Sequence, residues 1–256
     1  MKISSTFLEG LCYLWILIAL IVHITMFYIK APFGRHTSEK WGLTINNKLG
    51  WFIMELPSLA IMVYFLLAGT NSLHSYAWVL FACWIFHYTN RTIIYPLRIK
   101  ATPKKIPLTI VCSAIFFNLM NAGMNGYYLA ELAPIENYSE KIFSTPHFIL
   151  GAILFIAGLV INWRADHILI NLRKPGDIGY KIPKGFLFDF ISSPNLFGEI
   201  IEWTGFALMA WNLPATTFMI WTYANLVPRA KNHHDWYRTE FPQYPTDRKI
   251  VFPFIC

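Results

Sequence analysis

Long runs of residues without Lys, Arg, Asp or Glu constrain this chain more than any other feature. Five such runs lie at residues 10–29, 56–90, 106–130, 142–163 and 203–228. Each contains at least about 20 residues, the length with which an α-helix crosses the hydrocarbon core of a bilayer. With 55% apolar and only 14% charged residues, an ordinary soluble domain would have too little polar surface. The sequence therefore predicts an all-α, polytopic membrane protein.

Turn-forming residues divide these runs into spans. A cluster of turn formers at 68–72 interrupts the second run, and Asn212 and Pro214 interrupt the last one. The first run lacks a small-residue cleavage site, so it is predicted to be a retained span and not a signal peptide. One membrane domain over residues 1–256 is predicted, with seven spans at about 10–29, 51–69, 74–97, 107–130, 146–164, 196–211 and 214–230.

The distribution of positive charge predicts the orientation. With seven spans and the N-terminus outside, 19 of the 21 Lys and Arg residues fall on cytosolic segments, and only Lys2 and Lys141 lie outside. Because cytosolic loops carry the excess of Lys and Arg, the C-terminus is predicted to be cytosolic. The net charge of +7 is spread over four loops, so it does not favour nucleic-acid binding. We expect a monomer among membrane lipids, in the endoplasmic reticulum of a eukaryote or the inner membrane of a bacterium.

Ionisable side chains within apolar spans mark the candidate functional site, because each is costly in a bilayer. Polar side chains at i, i+3, i+4 or i+7 share one helix face, which must then point inward. The alternative role for the asparagines is hydrogen bonding between helices. The candidates are Glu55, residues 87–91, Asn118, Asn121, Asn125, Asn162, Asp166, Glu199 and Glu202.

Pro57 lies two residues after Glu55 and supports Glu55 as a candidate site residue. A proline inside a helix frees the carbonyl four residues earlier, here that of Ile53. Unpaired backbone polarity at membrane depth is tolerated only where it lines a protein-enclosed or wet cavity. The sequence therefore predicts a cavity beside the Glu55 carboxyl.

Two cytosolic segments are weaker indicators of chemistry. The loop from 164 to 194 has no G-x-G-x-x-G or G-x-x-x-x-G-K-[S/T] pattern, and its basic residues and glycines could hold phosphates or lipid head groups. His233 and His234 are adjacent, so they point to different sides of a helix, and no third ligand is evident. We predict no metal site.

Taken together, these motifs resemble the steroid 5α-reductase (3-oxo-5α-steroid 4-dehydrogenase) family. The resemblance is densest in the C-terminal half and reaches the N-terminal half in the same order. At one position the chain departs from the family pattern, which has Gln before the Glu of E-L-P-S where this chain has Met54. The motifs lie at 33–37 (F-G-R-H-T), 55–58 (E-L-P-S), 87–88, 91–92, 126–128, 171–177 (N-L-R-K-P-G-D), 198–203 (G-E-I-I-E-W), 229–237 and 252–255.

The resemblance implies a seven-helix enzyme that reduces the Δ4 double bond of a 3-keto steroid. NADPH would lie toward the cytosol, and the enone would reach it from the lipid side. Glu55 and Tyr88 would bind the ketone oxygen. The dinucleotide site would be lined by Asn162, Asp166, Arg173, Tyr180, Asn195, Glu199, His233 and Tyr237, with Arg91, Arg98, Glu202 and Arg229 as secondary candidates.

Other function classes share parts of this pattern. A polyprenol or enoyl-thioester reductase would use the same hydride chemistry on another lipid-like enone. An isoprenylcysteine-type methyltransferase would retain S-adenosylmethionine in place of NADPH. A non-enzymatic sterol-binding protein would need no cofactor at all.

Overall fold

The computed structural model describes residues 3–29, 41–70, 75–100, 105–134, 140–173 and 179–254. Four sequence features lie wholly or partly outside these ranges: the motif at 33–37, the turn at 68–72, the motif at 171–177 and the last residue of the motif at 252–255. The described residues form eight α-helices and two short strands. The helices are α1 (Ser5–Tyr28), α2 (Asn47–Ala68), α3 (Ser75–Thr89), α4 (Tyr95–Arg98), α5 (Leu108–Tyr127), α6 (Pro146–Asn171), α7 (Pro194–Ala210) and α8 (Leu213–Glu240).

The helical membrane fold is confirmed. Among the described residues, four helical stretches are long and apolar enough to cross a membrane: Ser5–Tyr28, Asn47–Ala68, Leu108–Leu132 and Pro146–Asn171. The other three predicted spans correspond to α3 with α4, to α7 and to α8. That these also cross the bilayer, and that the N-terminus lies outside, stay predictions.

Two π-helical turns extend the helices in ways that the sequence pattern did not indicate. Asn90–Ile94 joins α3 to α4 without a break, and Tyr128–Leu132 continues α5. A π turn inserts an extra residue into a helix, and such turns are frequent at functional sites. The first one carries Arg91, so it sets the direction in which that side chain leaves the helix.

A short antiparallel strand pair brings α2 beside α5. Strand β1 (Thr44–Asn46) precedes α2, strand β2 (Lys105–Pro107) precedes α5, and Ile45 pairs with Ile106. Both helices therefore begin at the same level and run side by side. This arrangement places the asparagine face of α5 against the Glu55 segment of α2.

Glycines hold α6 and α7 in close contact. Gly151 and Gly158 of α6 face Gly205 and Gly198 of α7, and a Cβ atom on any of them would come within 3.0 Å of the partner helix backbone. Small residues allow helices in membranes to approach in this way. The contact fixes the polar residues Asn162 and Asp166 of α6 against the first turns of α7.

An aromatic core adjoins these polar helices. Trp84 of α3 packs on Trp203 of α7 and on Phe218 of α8, with ring centroids 5.1 and 4.9 Å apart. The α1 helix packs against α8 outside this aromatic core, where the Trp221 indole of α8 donates a 2.9 Å hydrogen bond to the Trp15 carbonyl. The core therefore ties together α3, α7 and α8, the helices that flank the polar groups.

Candidate active site

The proposed acid pair comes from two neighbouring helices. Tyr88, near the end of α3, is 5% exposed and stacks on Trp84 at 5.4 Å between ring centroids. Glu55 of α2 is close enough to interact electrostatically with Tyr88. Ser58, one turn after Glu55, contacts Tyr88 and accepts a 3.1 Å hydrogen bond from the Trp84 indole. A phenol and a carboxyl group therefore converge in the protein interior.

The α5 asparagine face points inward, as the spacing predicted. Asn118, Asn121 and Asn125 are at most 3% exposed. The Trp15 indole donates to the side chain of Asn121, while Asn125 donates to the backbone of α5 and to the Pro214 carbonyl. These two asparagines connect helices, which was the alternative considered from the sequence.

Asn118 instead contacts Glu55, one member of the proposed acid pair. Its amide nitrogen lies 2.6 Å from the Met54 carbonyl oxygen and 3.2 Å from Oε2 of Glu55. The sequence argument placed the backbone polarity near Pro57 at the Ile53 carbonyl. The contact seen in the structure is one residue further along, because the Met54 carbonyl faces α5.

Arg91 is the centre of the charged groups. Its guanidinium lies 3.6 Å from Oδ2 of Asp166 and 3.5 Å from Oε1 of Glu199, which are on α6 and α7. It also stacks over the Trp51 ring at 4.5 Å, an arrangement favourable to a cation. Arg91 was only a secondary candidate from the sequence, yet it links three of the helices that carry predicted site residues.

The close α6–α7 contact brings three primary candidates together. The Asn162 amide donates to the Asn195 carbonyl at 3.0 Å and to Oε1 of Glu199 at 3.2 Å. Oδ1 of Asn162 is buried and forms no hydrogen bond to the described part of the chain. Oδ2 of Asp166 is also buried and forms no hydrogen bond there, but it lies 3.6 Å from the Arg91 guanidinium. Buried polar atoms are normally paired, so this group fits a ligand that donates hydrogen bonds.

Arg229 and Glu202 lie at different edges of this group. Arg229 of α8 interacts electrostatically with Glu199 and Glu55, so it joins the charged groups around Arg91. The carboxyl of Glu202 is fully buried and lies 2.7 Å from Nδ1 of His87. Glu202 therefore has a protein partner in the core, between α3 and α7.

The remaining predicted residues occupy the ends of α4, α6 and α8. Arg98 contacts His167 at 3.1 Å, and Arg173 lies over the Tyr180 ring, which contacts Trp236. Tyr237 stacks on Tyr244 with centroids 5.2 Å apart. His233 lies on the same helix, α8. Exposure differs among these side chains, from 3% for Tyr237 to 36% for Tyr180, and Arg98 adjoins the charged group through its interaction with Asp166.

The C-terminal segment is docked onto the end of α8. Ser192 lies 2.7 Å from Nδ1 of His234 and 2.7 Å from the Tyr244 hydroxyl, and it donates to the Lys249 carbonyl. Burial lowers the pKa of His234 from its ordinary value of 6.5, because a charged imidazole loses hydration there. The neutral histidine therefore suits this hydrogen-bond network.

Sequence reasoning missed three side chains of the site. Ser58 supports Tyr88, and Trp51 and Tyr95 lie under the Arg91 guanidinium. Ser58 belongs to the E-L-P-S motif, which was a usable signal. Trp51 and Tyr95 are ordinary aromatic residues of apolar segments, and only the π turn that directs Arg91 gives them a role.

Helices suited to a bilayer that enclose a carboxyl, a phenol and a charged group are typical of a membrane-embedded enzyme. Residues 104–256 match the family described as 3-oxo-5-alpha-steroid 4-dehydrogenase, and relatives cover most of the chain. The chain belongs to the 3-oxo-5-alpha-steroid 4-dehydrogenase family and is an oxidoreductase of that family. The family resemblance and the enzyme class predicted from the motifs are confirmed.

The relatives come from plants and animals. The steroid 5-alpha-reductase DET2 of Solanum lycopersicum is 42% identical over 232 residues, covering 89% of each chain. The 3-oxo-5-alpha-steroid 4-dehydrogenase 1 of Rattus norvegicus is 38% identical over 252 residues, covering 97% of this chain and 95% of its own. The protein of the same name in Bos taurus is 35% identical over the whole of both chains.

Proposed function

We propose that this protein reduces the Δ4 double bond of a 3-keto steroid with NADPH, giving the 5α-reduced 3-ketosteroid. The observation that supports it best is the position of the Glu55 and Tyr88 pair beside the charged group around Arg91. An acid pair next to a buried polar ligand site is what the reduction of a conjugated ketone requires. Family membership supports the same reaction over methyl transfer or passive sterol binding.

Glu55 and Tyr88 would act at the ketone oxygen. When hydride arrives at C5, negative charge grows on that oxygen, and hydrogen-bond donors placed there lower the barrier. The Tyr88 phenol is a neutral donor, and Glu55 in its protonated form is a second one. Trp84 and Ser58 would keep the phenol in place. The resulting enolate, with its double bond between C3 and C4, would then take a proton from water at C4.

The groups on α6 and α7 would hold the cofactor. When bound, NADPH supplies the hydride. The acceptor Oδ1 of Asn162 matches the N–H donors of a carboxamide, and Oδ2 of Asp166, which already pairs with Arg91, would accept from a ribose hydroxyl as well. Arginine suits phosphate groups, so Arg98 and Arg173 would bind the adenosine phosphate that distinguishes NADPH from NADH. The rest of the proposed lining consists of Tyr180, Asn195, Glu199, His233 and Tyr237, with Arg229 and Glu202 further in.

The finer topology belongs to the same proposal. All seven predicted spans would cross the membrane, with the cofactor end facing the cytosol, so that the steroid arrives through the lipid and NADPH arrives from water. We propose a multi-pass monomer, in the endoplasmic reticulum of a eukaryotic cell or the inner membrane of a bacterial one. The four long apolar helices support the membrane location.

The test is turnover by purified protein in lipid nanodiscs, with a Δ4-3-keto steroid and either NADPH or NADH. We expect a 5α-reduced product with NADPH preferred. Glu55→Gln and Tyr88→Phe should each lower kcat by about 100-fold, as the loss of one oxyanion donor does elsewhere, with little change in NADPH affinity. Arg173→Ala should raise KM for NADPH with a smaller effect on kcat. Product mass spectra and NADPH oxidation provide the measurements.

Tyr76→Phe is the matched control. It removes another buried hydroxyl of α3, which lies at the opposite end of that helix from Tyr88 and donates to the carbonyls of Met209 and Ala210 of α7. Because this hydroxyl is far from the proposed site, kcat should stay near that of the unaltered protein. Unchanged steroid reduction by the Glu55→Gln and Tyr88→Phe variants would remove the acid pair from the mechanism. Turnover of a polyprenal or an enoyl thioester, but not of the steroid, would reassign the substrate.

A further inference from the structure

Asn118 contacts Glu55, the group proposed to be the acid. It is 3% exposed, and its amide nitrogen faces two acceptors at once, the Met54 carbonyl at 2.6 Å and Oε2 of Glu55 at 3.2 Å. An amide nitrogen carries two hydrogens. Both acceptors can therefore be satisfied by one side chain.

The backbone carbonyl decides which way this amide points. A carbonyl oxygen can only accept a hydrogen bond. If the Asn118 side chain were turned over, its own oxygen would lie about as close to the Met54 carbonyl as its nitrogen does now, and the two would repel each other. The nitrogen is consequently fixed toward α2. Its second hydrogen is then available only for Glu55.

This orientation has a consequence for the carboxyl proton. In a protonated carboxyl group the carbonyl oxygen is the better hydrogen-bond acceptor, so a bond from Asn118 to one oxygen favours the proton on the other. We infer that Asn118 is a positioning residue for Glu55: its amide, oriented by the Met54 carbonyl, makes Oε2 an acceptor and holds the acidic proton on Oε1, where it can be donated to substrate. This inference rests on the proposed function, since it gives Glu55 the role of a neutral donor.

The residue at position 54 bears on the role of the contact between Asn118 and Glu55. The family pattern has Gln at this position, whereas the Met54 side chain is 5% exposed and packs in an apolar cluster with Trp51, Ile106 and Val111. In this chain the amide beside the acid therefore comes from α5. A purely structural role would leave Asn118 with partners like those of Asn121, which accepts from the Trp15 indole and, among the residues that the structure describes, contacts no carboxyl group.

Infrared spectroscopy and kinetics on three variants test the inference. The band of the protonated Glu55 carboxyl is identified as the one that Glu55→Gln removes. In Asn118→Leu this band should move to higher frequency, because a C=O group that loses a hydrogen bond vibrates faster. The rate of hydride transfer in a single turnover should fall about tenfold, the effect of losing one such bond, while NADPH affinity stays within about twofold.

Asn121→Leu is the control on the same helix face, and it should lower thermal stability without moving the Glu55 band. If Asn118→Leu does not fold, Asn118→Ala removes the same amide without adding a larger side chain, and it is measured in the same way. A Glu55 band that stays in place in the Asn118 variant, or no such band in the active unaltered protein, would overturn the inference. Full activity of Glu55→Gln would instead overturn the proposed function.

Discussion

At the scale of single residues, the site depends on the Arg91 guanidinium, which lies between two largely buried carboxylates. Arg91 lies 3.6 Å from Asp166 and 3.5 Å from Glu199, and these side chains are 13%, 4% and 12% exposed. A buried ion pair gains little over an apolar replacement of both partners, but removal of one partner leaves an uncompensated charge. Arg91 is therefore a structural requirement of the site as well as a candidate ligand.

This gives a prediction for stability. Arg91→Met should destabilise the protein by about 3 kcal/mol, because Asp166 and Glu199 would lose the guanidinium that lies between them. The measurement is thermal unfolding in detergent, without cofactor. Arg238→Met, at an exposed position on α8, is the control and should change stability by no more than about 0.5 kcal/mol. Equal effects of the two changes would show that the carboxylates are neutral or hydrated in the folded protein.

The charged group illustrates what single residues reveal before a structure is known. Each buried carboxyl could be found from the sequence, because an ionisable residue in an apolar span stands out. Their pairing could not be found, since Arg91 reaches Asp166 and Glu199 only through a π turn and a close helix contact. Glu202 resembled Glu199 in sequence, at three residues' distance, yet its partner is His87 in the core.

At the scale of helices, the bounds were largely predictable and the contacts were not. The predicted spans at 107–130 and 146–164 correspond to α5 with its π turn and to α6, because hydrophobic length sets where a span begins and ends. Helix α6 runs on to Asn171 and carries Asp166 beyond the apolar stretch. The approach of α6 to α7 depends on glycines at the same spacing in both helices, which only the structure aligns.

The glycine contact gives a second prediction. Gly158→Ala places a methyl group against the backbone of Gly198 and Glu202, so the helices must separate and the bonds from Asn162 to Asn195 and Glu199 lengthen. We expect weaker NADPH binding, by about tenfold or more, together with lower thermal stability. Isothermal titration with NADPH and thermal unfolding provide the two measurements.

Gly123→Ala is the control for this change. Gly123 is also helical, but a Cβ atom there meets nothing within 4 Å, so alanine should raise stability by up to about 1 kcal/mol through its better helix propensity. NADPH affinity should stay the same. If Gly158→Ala binds NADPH as tightly as Gly123→Ala does, the α6–α7 spacing does not set the cofactor site.

At the scale of the whole molecule, the fold separates two environments. The apolar faces of α1, α2, α5 and α6 suit lipid, whereas α7 and α8 carry much of the polar lining. Helix α7 has 17 residues and includes Glu199 and Glu202, so hydropathy alone does not identify it as a span. Its length of about 25 Å is near the lower limit for crossing a bilayer. Whether α7 and α8 both cross determines on which side the C-terminal segment lies.

Cysteine accessibility in sealed microsomes addresses this point, with a maleimide that cannot cross membranes. Lys184→Cys precedes α7 and Asp247→Cys follows α8, and both positions are exposed. Two crossings between them put both on the cytosolic side, so both should react without detergent. Lys141→Cys lies before α6 and should react only after detergent is added. The unaltered protein gives the background from its own cysteines.

The labelling pattern shows whether an even or an odd number of crossings separates two positions. If Asp247→Cys reacts only in detergent while Lys184→Cys reacts without it, an odd number of crossings separates them, and α7 and α8 do not both span. If Lys141→Cys alone reacts without detergent, the seven spans hold and the orientation is reversed, which would contradict the excess of Lys and Arg in cytosolic loops. The predicted pattern would place Arg98, Arg173 and Tyr237 on the side where NADPH is dissolved.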